Sequence, residues 1–478
     1  MFDHVTFTAI PKVMLIAPAG FGKTHTIAEC IRHLAGKGKQ LILTHTHAGI
    51  ATIKDKLKIA NISPSSYEVT TISSFAQKYV LAFYTGLDVP GQDDSKRYYP
   101  FLIEKMIELV KLSPLKTIIQ STYSGLFVDE YQDCTIKQHG LIVLLSGLFP
   151  TRILGDFLQG IFDFNGERLV DMKNDNEMVE FSPSTHELQT PHRWINQNNP
   201  SLGADLKKIR AELILKREIN LPEYPSIELH LVAEQDLFNP QSIYSSKIRK
   251  LLKEKEILVI HPDSTSINPR LSVIKLFNNS LSLVESIDDK EFYQLSREAD
   301  SLTGLAFEKV LISMSRRLFN KTGHDVWFND KGFKKKTKRE DKDLPQPIEL
   351  KTIQIKKNIS FILLADILRD IKNLKEIKCY RSELFSTFCR ALEDAEIQNI
   401  SVFDAMLNKR NLIRRIGRKI YGRCIGTTLL TKGLEFETVV IINAHKFSCP
   451  KHLYVALTRA SKRLVIFSNN KILKPYKL

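Results

Sequence analysis

The sequence predicts an α/β protein with two parallel-sheet units, each interrupted by a mainly helical insertion. Three observations carry that expectation. Residues 12–24 read as an apolar strand, a glycine-bearing loop and the start of a helix. Apolar strands and amphipathic helices then alternate to about residue 75, the rhythm of a parallel sheet with helices on both faces. The same rhythm restarts near Glu187 and returns after residue 420, with a long helical stretch in between.

Composition bounds the class. The 478 residues are enough for two to four compact units, each with its own core. With 43% hydrophobic and 26% charged residues, the chain has a soluble globular composition. Its net charge of +16 suggests nucleic acid or another anionic surface as partner, with general solubility charge as the plain alternative. No run reaches the roughly 18 apolar residues of a membrane span, so no membrane is expected. Met1-Phe-Asp-His4 has no signal-peptide order. Six scattered cysteines without a Cys-x-x-Cys pair point away from zinc or disulfides and toward a reducing cytoplasm.

The first unit opens on Lys12-Val-Met-Leu-Ile-Ala-Pro-Ala-Gly-Phe-Gly-Lys23-Thr24. Ala17, Pro18, Ala19, Gly20, Phe21, Gly22, Lys23 and Thr24 fit a phosphate-binding loop, with Ala17 in place of its first glycine; His25 follows it. Gly20 and Gly22 let backbone N–H groups converge on phosphate oxygens, and the helix N-terminus adds a favourable dipole. Lys23 is expected on the β- and γ-phosphates and Thr24 on Mg²⁺. Strands follow at Gln40–Thr46 and up to Ile72, with a helix from Ala48 to Leu57. A small helical insertion is expected over about 76–118 before the sheet resumes at Gly125–Asp129 and Arg152–Asp156.

Phe127-Val-Asp-Glu-Tyr-Gln-Asp133 sets two acids at the C-terminal end of a buried strand, the edge where ligands gather in parallel sheets. Asp129 is placed to hold Mg²⁺ through water and Glu130 to deprotonate an attacking water. An acidic helix cap is the bland alternative. Gly155-Asp-Phe-Leu-Gln-Gly-Ile-Phe162 repeats the arrangement on another strand end. Gln159 is a candidate γ-phosphate sensor and Phe162 a candidate base contact, and ordinary loop polarity explains both equally well.

The second unit is expected to hold strands at Ile227–Val232, Ile257–Ile260, Cys424–Leu430, Val439–Asn443 and Arg463–Phe467. Helices are expected over 202–215, 242–253, 361–371 and 381–393. The charged run 331–342 and the basic stretch 414–419 read as phosphate contacts or as solvated charge, with no reason in the sequence to prefer either.

A series of motifs now stands in order along nearly the whole chain. They are Ala17–Thr24, Thr44-His-Thr-His-Ala48, Thr71-Ile-Ser-Ser-Phe75, Asp129-Glu-Tyr-Gln-Asp133, Gly155–Phe162, Pro191-His-Arg193, Lys432-Gly-Leu-Glu-Phe436 and Tyr454-Val-Ala-Leu-Thr-Arg-Ala460. The series resembles the UvrD/Rep-type superfamily 1 DNA helicases. The resemblance implies two RecA-like P-loop NTPase domains with ATP and Mg²⁺ between them. It implies that Arg193 and Arg459 reach the γ-phosphate as arginine fingers, Arg459 from a helix spanning Tyr454–Ala460. Gly433 and Glu435 are implied to link nucleotide to nucleic acid. Thr44, His45, His47, Ser73, Phe75, Phe162, Trp194 and Thr427 are the implied nucleic-acid contacts. The chain departs from the family at His45 (usually aromatic), His47 (usually Asn), Leu429 (usually His) and His192 (usually the adenine-stacking aromatic). No adenine-reading glutamine stands in residues 1–11.

The expected domains are 1–187, then 188–315 with 420–478, and a basic insertion over 316–419. The expected function is ATP-dependent movement on single-stranded DNA, or on DNA with a single-stranded overhang, in the 3′ to 5′ direction. Repair or anti-phage defence is the expected setting. A nuclease or other effector is expected on a separate partner, since few residues follow Phe467. The alternative is a DNA-sensing regulatory ATPase that switches a partner without processive unwinding.

Overall fold

The computed structural model describes residues 2–476 except 93, 163–165, 263–265, 279, 286–289, 331, 335–344, 380, 417–419 and 421. The chain divides into two compact units, Met1–Leu281 with Arg414–Leu478, and Ser282–Ile413.

The first unit contains two parallel sheets. In the first, β1 (Lys12–Ile16), β2 (Gln40–Thr44), β3 (Tyr67–Thr71), β4 (Gly125–Val128), β5 (Thr151–Gly155) and β6 (Thr185–Glu187) run in the order β3-β2-β4-β5-β1-β6. Every neighbouring pair is parallel; Lys12 sits opposite Thr151 and Ile16 opposite Gly155. β2, β4 and β5 are buried along their whole length, as a sheet covered on both faces requires. Their C-terminal ends therefore share one edge, and the loops leaving Ile16, Thr44, Val128 and Gly155 meet there.

Between β3 and β4 stand helices Ile72–Phe83, Ser95–Leu109 and Ser113–Thr122. They are less a separate lobe than a cover. Phe75, Tyr79, Leu102, Met106 and Ile119 share one core with Met14, Leu41 and Leu126 of the sheet.

The second sheet has five strands in this unit, β7 (Ile227–Leu231), β8 (Ile257–Ile260), β9 (Arg423–Gly426), β10 (Phe436–Ile441) and β11 (Ala460–Ser468), in the order β9-β8-β10-β11-β7 and all parallel. Two expected elements differ. The strand expected to Leu430 stops at Gly426, because Thr427 caps a short helix, Thr428–Thr431, by accepting the Leu430 N–H. The helix expected through Ala460 is Pro450–Leu457, and Arg459 lies in the turn before β11.

The other unit is mainly helical, with Lys290–Asp300, Phe307–Leu318, Gln346–Lys357, Phe361–Asn373 and Ser382–Gln398 among its helices. It begins upstream of residue 316, where the sequence rhythm breaks. Phe292, Leu295, Phe307 and Leu311 pack into the same core as Leu364, Leu368, Phe385 and Phe388. Trp327 is buried there and donates its indole N–H to the Lys375 carbonyl at 2.7 Å. Most of the run 331–342 lies outside the described residues, as do 417–419 and the side chains of 414–416. All six cysteines are free thiols. No helix among the described residues is long and apolar enough to cross a membrane.

Candidate nucleotide site

The loop after β1 is built by its glycines. Gly20 and Gly22 take φ of +77° and +95°, left-handed values that an L side chain resists. Gly22 then caps the helix Lys23–His33, whose free N–H groups face the loop. Gly20 is also sterically required: a Cβ there would lie 2.8 Å from the Trp194 ring. Ala17 N–H is tied to the Gly155 carbonyl at 2.8 Å, so the loop hangs on two central strands.

At the end of β4, Asp129 and Glu130 meet the loop lysine. Lys23 Nζ is 3.2 Å from Asp129 Oδ1 and 2.5 Å from Glu130 Oε1. Burial alone would lower the Lys23 pKa, but the two carboxylates outweigh it and raise it. Burial pushes Asp129 up. It would do the same to Glu130, but Lys23 and Lys432 together hold that group down at about 2. Glu130 has φ +56°, a costly backbone for a non-glycine residue and common at functional positions.

Residues from the helix His192–Asn196 after β6 and from elements next to the second sheet also face this edge. Arg193 Nε is 2.8 Å from Glu435 Oε2, and its Nη1 donates to the Thr458 carbonyl at 2.5 Å. Arg459 is 2% exposed and donates to the carbonyls of Val455 at 2.9 Å and Leu434 at 3.0 Å. Burial, with Arg193 nearby, lowers its pKa to about 9. Lys432 pairs with buried Asp133, donates to the Gln159 carbonyl at 2.6 Å, and stands 4.5 Å from the Phe162 ring. Burial pushes Asp133 up to about 6, against the pull of Lys432. Tyr454 accepts the Ala19 N–H at 3.3 Å.

These groups line one cavity of about 580 Å³. Lys23, Glu130, Gln159, Arg193 and Arg459 all face it, as do Ala17, Pro18, Ala19, Gly20, Gly22, Thr24, His25, Asp129, Gly433 and Glu435. A volume of that size with convergent N–H groups, the cations Lys23, Lys56, Arg193, Lys432 and Arg459, and a carboxylate pair fits a nucleoside triphosphate.

The residues match a helicase model. Residues 352–468 match the family model described as the viral superfamily 1 RNA helicase core domain. Over 166 residues, 34% of this chain, the sequence is 25% identical to an ATP-dependent helicase/nuclease subunit of Lactococcus lactis subsp. cremoris (strain SK11). It is 23% identical over 166 residues to the exonuclease/helicase subunit RexA of strain MG1363. In each case the match spans 14% of the relative's own length. Among solved structures, an Arterivirus nonstructural protein 10 helicase in complex with DNA aligns over 96% of this chain and 62% of its own, at 12% identity and a TM-score of 0.36, too distant to carry an argument. The family model and the curated relatives support a superfamily 1 helicase core.

Of the residues expected at the site or on nucleic acid, several are buried or lie away from this cavity. Phe21 is buried beneath the loop, edge-on to Trp194 at 6.5 Å. Trp194 is 1% exposed and donates its indole N–H to the Ala460 carbonyl at 2.9 Å, so no base reaches it. Phe75, at 0%, fills the insertion core, and Thr44 and Thr427 are buried at strand and helix ends. Ser73 and His47 are half-buried and do not line the cavity. His45 and Phe162 do line it. His45 lies 3.5 Å from Cys134 Sγ, and burial, then Lys432, lowers its pKa to about 3.

The sequence reading passed over Thr46, Lys56, Asn196 and Gln197, which also line the cavity. It passed over the Asp133–Lys432 pair, although both residues stand inside the motif series. Among the described residues no cluster of three or more His, Cys, Asp or Glu could hold a metal by itself.

Proposed function

We propose that this chain is an ATP-dependent nucleic-acid motor of UvrD type, moving 3′ to 5′ on single-stranded DNA. One observation carries the reading. The glycine loop with Lys23, the Asp129–Glu130 pair and the arginines Arg193 and Arg459 all face one cavity. A phosphate loop and an acidic pair suffice for binding and hydrolysis. Two arginines from outside the loop and the acidic pair, Arg193 on the helix after β6 and Arg459 in the turn before β11, are what a motor needs, because they sense whether the terminal phosphate is present.

Each residue then has a role. Backbone N–H groups of the loop and Lys23 hold the β- and γ-phosphates. Thr24 and Asp129 would hold Mg²⁺, which neutralises phosphate charge. Glu130, kept ionised at neutral pH, accepts the proton of the attacking water. Arg193 and Arg459 offset the charge that develops on the transferred phosphoryl group. Lys432 and Gln159 connect this edge to Phe162, where a strand would stack.

The names of the relatives, helicase/nuclease and exonuclease/helicase subunits, favour a nuclease partner and a role in DNA repair or defence. The family model's name keeps RNA in view. The test is steady-state ATP hydrolysis titrated with single-stranded DNA, single-stranded RNA and duplex. Stimulation by single-stranded DNA supports the reading, stronger stimulation by RNA reassigns the substrate, and none at all overturns the motor.

A further inference from the structure

We propose that Arg210, which lies outside every motif above, is a positioning residue that acts through Asp156 on Gln159. The inference rests on the motor reading of the preceding section.

Arg210 sits on the helix Pro200–Ile214 and is 7% exposed. Its Nη2 donates to Asp156 Oδ1 at 3.2 Å and its Nη1 to Glu187 Oε1 at 3.2 Å. The guanidinium also lies 5.1 Å from the Phe157 ring. Asp156 is wholly buried. Its oxygens accept the Gln159 Nε2–H at 3.2 Å and the Leu158 N–H at 3.2 Å. Burial, and then the Asp156 charge, raises the pKa of the Tyr454 hydroxyl, whose oxygen accepts the Ala19 N–H at 3.3 Å. The Asp156 N–H donates to Gln132 Oε1 at 2.9 Å, and the other end of that amide reaches Glu130.

One buried aspartate thus holds the candidate γ-phosphate sensor through its carboxylate and the neighbour of the candidate base through its N–H, and its charge acts on the tyrosine that meets the phosphate loop. Arg210 is the side-chain cation that pairs with it. A buried carboxylate stripped of its cation is strongly unfavourable, and the groups around it rearrange. The fork geometry matters as well as the charge, since two separate carboxylates are engaged at once; lysine would keep the charge and lose one contact. Gln159 would then no longer be held by a fixed acceptor, so the step that reads the terminal phosphate should suffer more than nucleotide binding does.

The experiment compares the full chain with Arg210→Gln, Arg210→Lys and Tyr454→Phe. It reads kcat, KM, melting temperature and the ratio of affinities for a slowly hydrolysed ATP analogue and ADP. Expected for Arg210→Gln is a fall in kcat of at least about 30-fold with KM and ADP affinity within about threefold, and loss of the ATP-over-ADP preference, as for a group that orients catalytic donors. Arg210→Lys should be intermediate, and Tyr454→Phe should lower kcat about tenfold while melting near wild type. A loss that only follows the fraction of folded protein, or unchanged kcat in both Tyr454→Phe and a folded Arg210→Gln, overturns the proposal. If the wild type binds nucleotide but hydrolyses none, the motor reading fails by itself, and the affinity ratio still decides the role of Arg210.

Discussion

Lys23 Nζ lies 2.5 Å from Glu130 Oε1, so the loop lysine and the candidate base neutralise each other. A lysine that reaches a γ-phosphate cannot keep that contact at full strength. Nucleotide binding should therefore draw Lys23 away and leave Glu130 available to a water. Lys23→Met should abolish hydrolysis and weaken nucleotide binding, because it removes the phosphate charge partner and leaves two buried carboxylates without it. Glu130→Gln keeps the shape and removes the base. It should lower kcat by about 10²- to 10⁴-fold with nucleotide affinity retained. Phosphate release and equilibrium binding of a fluorescent nucleotide check both, and a Glu130→Gln enzyme within tenfold of wild type would remove Glu130 from the role.

The two arginines should differ in how they fail. Arg193 is held by Glu435 and a carbonyl, whereas Arg459 is buried and bonds one carbonyl of the helix just before it, Val455, and one from the segment before β10, Leu434. Both Arg193→Ala and Arg459→Ala should lower kcat on the order of 10³-fold. Only Arg459→Ala should also lower the melting temperature clearly, because it leaves the Val455 and Leu434 carbonyls without that donor. Arg459→Lys should not rescue, since one ammonium cannot span both acceptors. Normal kcat in either alanine variant would put that arginine outside the reaction.

Residues placed by a local loop or strand-end pattern were legible in the sequence, and residues dictated by long-range packing were not. Gly20, Gly22, Lys23, Asp129 and Glu130 are local requirements of a loop and a strand end, and each stands where its motif puts it. Trp194 could not be placed the same way. An indole suits a base and a core equally, and what decides is the approach of Gly20 and the Ala460 carbonyl, both far off in sequence. Phe75 is the same case, since its burial depends on Tyr79 and Tyr123 folding over it. The helical unit's early start was hidden because Lys290–Asp300 and Phe307–Leu318 follow an α/β stretch without a linker signal. Asp156 and Arg210 lie 54 positions apart, and nothing in either local sequence announces their contact.

Glu285, within the helical unit, should give that unit a pH-dependent stability. Burial raises its pKa from 4.5 to about 6, although Arg381 at 3.3 Å and the Glu383 N–H at 3.2 Å favour the ionised form. A carboxyl with a raised folded pKa contributes stability below its unfolded value and loses it as pH climbs through the folded one. The unit should therefore weaken by about 2 kcal/mol in all as pH climbs from about one unit below 4.5 to about one unit above 6, with no further change from this group beyond that. In Glu285→Gln this part of the slope should vanish. Urea unfolding followed through Trp327 fluorescence, in a Trp194→Phe background, reads it. Parallel pH profiles for the two proteins would exclude Glu285 as the source.

The last prediction separates two aromatic residues that sequence alone treats alike. Phe162 and Trp194 both follow motif positions that resemble nucleic-acid contacts. Phe162 is half-buried, lines the cavity and stands against the Lys432 ammonium, which also touches Asp133 and the Gln159 carbonyl. A base stacked on Phe162 would therefore press on groups that face the phosphates. Trp194 has no face left to offer, since its ring meets Gly20 and its N–H is spent on Ala460. Phe162→Ala should leave the melting temperature near wild type and weaken single-strand binding by about 1–3 kcal/mol, the usual value of one base–aromatic stack. It should reduce strand-stimulated hydrolysis more than the basal rate. Trp194→Ala should instead cost about 3–5 kcal/mol of stability and disturb nucleotide binding through the loop. Single-strand affinity of its folded fraction should remain ordinary. The measurements are melting, fluorescence anisotropy with a short labelled strand, and hydrolysis with and without that strand. Unchanged anisotropy for Phe162→Ala would move the strand away from this edge, and selective loss of strand binding in a fully stable Trp194→Ala would return the indole to the nucleic acid.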